Sequence, residues 1–119
     1  MAKVLVNGII KTESETIDFE VKGILDTNSN ILMYNFEEVR NTLFLNKNIL
    51  KRESADNIIT LDFNNIDLNK SSILLKDTNY EIILKIEPIY IDKSVNEYKV
   101  GYLLEDHKKI EYEIKFKFI

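Results

Sequence analysis

Tyr98-Lys99-Val100-Gly101-Tyr102-Leu103-Leu104 and, after the polar residues 105–109, Ile110-Glu111-Tyr112-Glu113-Ile114-Lys115-Phe116-Lys117-Phe118 alternate almost without a break between apolar and polar side chains. A strand sends successive side chains to opposite faces, so a period of two is the mark of a strand with one face in a core and one in water. The second segment puts Ile110, Tyr112, Ile114, Phe116 and Phe118 on one face and four charged residues on the other. The connector Glu105-Asp106-His107-Lys108-Lys109 is short and polar, as a hairpin loop requires. The two segments are therefore expected to pair antiparallel.

Working outward, the same period recurs. Ile17, Phe19, Val21 and Gly23 share a face opposite Asp18, Glu20 and Lys22, and Val4, Val6, Gly8 and Ile10 form a first strand. Tyr80, Ile82, Leu84 and Ile86 share another face. Further short strands are expected near 31–38, 41–46, 48–53, 58–63 and 72–76, with 89–92 extending or bending the strand before it. The separators 12–15, 26–30, 46–48, 54–57, 64–69, 77–79 and 92–96 are polar. With only three glycines in the chain, left-handed turn positions fall to Asn and Asp. Pro88 cannot donate to a ladder and is expected at an edge or a bulge. Leu32, Phe36, Val39 and Leu43 also stand at helical spacing, which keeps a short helical turn open as the alternative there.

Eight to ten short, evenly spaced strands with tight connections describe an all-β fold, either a sandwich or an up-and-down barrel. Sequential hairpins favour an antiparallel meander. Closure into a barrel removes the exposed edges that long strands otherwise present. At 119 residues the chain fits one domain, 1–119, large enough to bury a real core.

Composition narrows the function classes. There is no cysteine and a single histidine, His107, so neither thiolate chemistry nor an imidazole metal site is expected, and no cofactor is implied. The formal charge of −4 gives no global grip on nucleic acid. The opening residues Met1-Ala2-Lys3-Val4-Leu5-Val6-Asn7 alternate rather than run apolar, so a signal peptide is not expected. No stretch approaches the ~20 apolar residues of a membrane helix, and the expected compartment is the cytoplasm. Ile, Lys and Asn are heavily used while alanine stands only at Ala2 and Ala55, a usage that points to a low-GC bacterial genome.

The order of elements resembles the DUF1934 (YwiB-like) family of small bacterial calycin-like β-barrel proteins. The resemblance covers nearly the whole chain. It rests on residues 17–23 (IDFEVKG), 34–38 (YNFEE), 50–52, 98–104 (YKVGYLL) and the closing strand 110–118. It implies a closed, lipocalin-like barrel and carries no activity with it. This chain departs from the family pattern where Arg52 is followed by Glu53-Ser54 rather than by a small residue and glycine. It departs again where the turn before the eighth strand reads Asp77-Thr78-Asn79 without a glycine.

Five tyrosines, Tyr34, Tyr80, Tyr98, Tyr102 and Tyr112, fall on expected inward faces. They suit either a phenol-lined ligand pocket or an ordinary barrel core whose hydroxyls find partners. Continuing the alternation of Leu32, Tyr34 and Phe36 puts Glu38 on the inward face, and Arg52 shares parity with Leu50. An inward charge is costly unless paired, so a Glu38–Arg52 bridge near a barrel mouth is coherent, against the plain alternative that both sit in water past the strand ends. His107 reads as a solvated loop residue. The acidic runs at 13–20 and 111–113 read as outer strand faces rather than catalytic dyads.

Two function classes follow. In the first, the barrel binds a small apolar or amphipathic ligand through Tyr34, Glu38, Arg52, Tyr80, Tyr98 and Tyr102, within a cavity of roughly 300 Å³ or more. In the second, the barrel is packed and acts as a structural or protein–protein interaction module. Its outer apolar or homodimer face would draw on Leu5, Ile9, Ile24, Ile83, Leu103 and Ile119. An enzyme is the least supported reading, because nothing assembles a nucleophile, a base and oxyanion donors.

Overall fold

The computed structural model describes residues 1–64 and 70–119, so the expected separator 64–69 lies, apart from Asn64, outside the described residues. Among the described residues eleven strands follow one another. They are β1 (Ala2–Lys11), β2 (Thr16–Asp26), β3 (Ile31–Phe36), β4 (Val39–Phe44), β5 (Ile49–Glu53) and β6 (Asn57–Asp62). The rest are β7 (Ser71–Leu75), β8 (Tyr80–Leu84), β9 (Glu87–Ser94), β10 (Glu97–Leu103) and β11 (Lys109–Phe118). They form one antiparallel sheet in the order β8-β7-β6-β5-β4-β3-β2-β1-β11-β10-β9, a meander that curls into a half-barrel. The quoted C-terminal hairpin pairs as expected, Val100 opposite Tyr112 and Tyr98 opposite Ile114.

Strand number exceeds the expected eight to ten because the apolar run from Tyr80 to Ile91 is two strands. Lys85 and Ile86 separate β8 from β9, and the two take opposite edges of the sheet. Pro88 sits on the edge strand β9 beside a bulge, where Tyr102 faces Pro88 and Gly101 faces Tyr90, leaving Ile89 as the extra residue. An edge position spares the missing N–H, as expected for proline.

Residues 32–43 are a hairpin and contain no helical turn: β3 and β4 close at Phe36–Val39 around the two-residue turn Glu37-Glu38. Both glutamates have positive φ, 51° and 62°. That is the backbone of the turn that matches strand twist in a two-residue hairpin. Asn30, Asn48, Asn79 and Asn96 take the left-handed positions elsewhere, as does His107, and the glycines take none. Gly8 and Gly101 serve differently. Each faces an aromatic residue across the ladder, Phe19 and Tyr90, whose ring lies where a Cβ would stand.

The core fills the concave side. Val4, Val6, Leu32, Leu43, Tyr98, Val100 and Ile114 are fully buried. They come from β1, β3, β4, β10 and β11, strands far apart in sequence that the curl brings face to face.

Candidate functional site

The inward tyrosines occupy the interior rather than line an empty one. Tyr34, Tyr98, Tyr102 and Tyr112 are each no more than 6% exposed. The Tyr34 and Tyr112 hydroxyls hydrogen-bond to each other across the half-barrel, and Tyr98 donates to Asn48 Oδ1 at 3.2 Å. Phe19 stacks on Tyr34 at 5.6 Å and on Phe36 at 4.3 Å, and Phe63 packs on Tyr102 at 5.2 Å. Burial pushes the Tyr34 and Tyr102 phenols up to about 12 and raises Tyr98 and Tyr112 as well. These groups stay neutral at physiological pH and act as apolar bodies with one placed polar atom.

Arg52 points to the same side. It pairs in register with the buried Asn41, next to Tyr34, and its charge lowers the cost of ionising Tyr34, Tyr102 and Tyr112. Glu38 does not join it. The tight turn at Glu37-Glu38 breaks the alternation that placed Glu38 inward, and its side chain is exposed beside Asn35, Arg40, Glu53 and Lys76. Among the described residues no ion pair involves Arg52 or Glu38; the nearby bridge is Lys76–Glu53 at 2.7 Å.

Open depressions of about 260 to 460 Å³ occur on the surface. That at one barrel mouth is formed by Leu25, Leu45, Lys93, Tyr98 and Phe116, with Lys93 Nζ donating to the Leu45 carbonyl at 2.8 Å. None of the depressions described is lined by Tyr34, Tyr102 or Tyr112.

Tyr80, expected inside, is 63% exposed. The reason is topological. β8 is an outermost strand, and the curl ends before an opposing wall can cover it. Ile59 packs against the core, and its ladder partners Ile73 and Ile82 carry the same inner face outward to the edge. There Ile82 is 41% exposed; on the outer face Ile83 is 46% exposed. The outer apolar residues of the other strands are diluted by charge. Leu5 faces Lys22 and Lys117, and Ile9 faces Asp18 and Glu113. Ile24 and Ile119 line one shallow depression together, beside Lys3 and Lys22. Sequence parity could not find the β8 patch, because parity assigns a face and says nothing about whether anything covers it.

An all-β meander with buried interior tyrosines and, among the described residues, a largely apolar strand exposed at a sheet edge is the class of protein that fold and site define, a small β-barrel-like protein. Its fold is similar to that of the YwiB protein from Bacillus subtilis, with a TM-score of 0.54 at 11% sequence identity over 98% of this chain and 90% of that one. No family model and no curated protein sequence matches the chain.

Proposed function

We propose that this chain is a structural or interaction module, a packed half-barrel that engages a protein partner along its β8 edge. The observation that carries the reading is that, among the described residues, β8 is unpaired on one side and exposes Tyr80 and Ile82 on its inner face and Ile83, beside Glu81, on its outer face. An exposed strand edge is a row of unmet hydrogen-bonding groups, and natural sheets normally guard it with charge, proline or a bulge. β9 is guarded in all three ways, by Pro88, the bulge at Ile89 and the exposed Asp92 and Lys93. β8 has neither proline nor bulge and a single charge, Glu81, on its outer face, so its apolar inner face stays open, as a surface for strand addition is. We further read the chain as a bacterial, cytoplasmic member of the calycin-like DUF1934 proteins; the likeness to YwiB from Bacillus subtilis supports the fold of that reading.

Site-specific photo-cross-linking in cells tests the reading, with a benzophenone amino acid at Tyr80 and, as control, at Glu20 on an outer strand face. Specific adducts from position 80 and none from position 20 are expected. Equal or absent yields at the two positions would refute it.

Arg52 favours a second reading, ligand binding within the half-barrel. A guanidinium on the concave side beside phenols suits the carboxylate of an amphipathic anion, with Ile59, Ile73 and Ile82 as its apolar bed. Titration with decanoate as probe should give saturable binding that Arg52→Leu removes. Heat signals unchanged by that substitution would exclude it.

A further inference from the structure

We propose that the partner at β8 is a second copy of this chain, joined β8 to β8 antiparallel about a twofold axis through Ile83. The pairing rests on the reading of β8 as an interaction edge and adds the partner and the register. A twofold strand pair sets a segment against its own reverse, so the segment must be complementary to itself. Tyr80-Glu81-Ile82-Ile83-Leu84-Lys85 meets that condition. Centred on Ile83, Glu81 of each copy faces Lys85 of the other, Ile82 faces Leu84, and Ile83 faces Ile83. Charges then meet opposite charges on the outer face while apolar side chains meet on the inner one. Centring on Ile82 instead would set Glu81 against Ile83 and leave Lys85 without an opposing charge.

Backbone parity agrees with this register. The Lys85 N–H turns away from β7 and reaches Glu105 Oε1 at 3.0 Å. Alternation along the strand puts the N–H groups of Ile83 and Glu81 on that same free side. An axis at Ile83 lines these groups up with their own symmetry mates. Glu105 caps the Lys85 N–H in the lone chain, and the Glu81 carbonyl of the second copy replaces it in the pair. Among the described residues, neither Glu81 nor Lys85 has an ion-pair partner within the chain. The pair also covers the exposed Tyr80, Ile82 and Ile83.

Sedimentation velocity of the whole chain from about 1 to about 500 µM tests the proposal, since self-association follows mass action. A reversible monomer–dimer equilibrium is expected. Glu81→Lys and Lys85→Glu each place like charges opposite one another twice and should weaken it about tenfold. An equimolar mixture of the two variants should regain dimer, because each lysine then meets a glutamate on the other chain. Glu81 lies on the exposed strand and the exposed Lys85 just past its end, and a thermal melt shows that each variant is folded. A chain that stays monomeric, or variants that associate as the parent does, would overturn the second copy as partner. A mixture that fails to regain dimer would overturn the register. If the chain is monomeric but position 80 still cross-links specifically, β8 serves a different protein. If it is monomeric and position 80 is silent, the interaction reading falls as well.

Discussion

The hydroxyls of Tyr34 on β3 and Tyr112 on β11 are joined to each other across the interior of the half-barrel, linking positions 78 residues apart. Both phenols are 4% exposed. Each satisfies the other, so the mainly apolar core holds these two polar atoms at little cost.

Removing one hydroxyl should therefore cost more than removing both. Tyr34→Phe leaves the Tyr112 hydroxyl buried without this partner and should destabilise by about 1 to 3 kcal/mol. The double variant Tyr34→Phe/Tyr112→Phe should lose less than the sum of the two single changes, since no orphan remains. Urea denaturation of the four proteins measures the coupling. Strict additivity would mean that the two hydroxyls are not paired in solution.

Alkali should unfold the chain through these same groups. Burial holds Tyr34 and Tyr102 at about 12, above the ordinary phenol value of about 10. Below the unfolded value both states keep the protons and the stability is fully present. Between about 10 and 12 the unfolded chain binds fewer protons than the folded one, so stability falls as pH rises, by about 2 to 3 kcal/mol per tyrosine at the upper limit. Tyrosinate absorbance followed together with circular dichroism checks this. The buried phenols should ionise in the step that unfolds the sheet. Their ionisation in an intact fold would contradict the account.

The β3–β4 turn offers a gain in stability. Glutamate at positive φ carries a Cβ penalty that asparagine tolerates better and glycine lacks. Glu37→Asn with Glu38→Gly should stabilise the chain by about 1 kcal/mol, read as a raised urea midpoint at unchanged slope. A fall in the midpoint would show that one of the glutamate side chains holds a contact worth more than the strain.

What the sequence by itself determined was the local geometry of nearly every strand. Period two is written in each segment, and it placed Tyr34, Tyr98, Tyr102 and Tyr112 inward, Pro88 at an edge and asparagine in the left-handed turns, because these choices depend on one or two neighbouring residues. It also brought the fold to a meander, since short polar connectors allow little else. What only the tertiary structure decided was coverage. Tyr80 and Tyr98 have the same alternation around them, yet one is 63% exposed and the other fully buried. The difference is that β10 lies inside the sheet and β8 at its end. Glu38 is turned away from Arg52 by a two-residue hairpin turn, where alternation stops, while the two-strand break at Lys85 and Ile86 and the exposed edge of β8 depend on how far the sheet curls. That curl sums small twists over eleven strands, and no short stretch of sequence carries the sum.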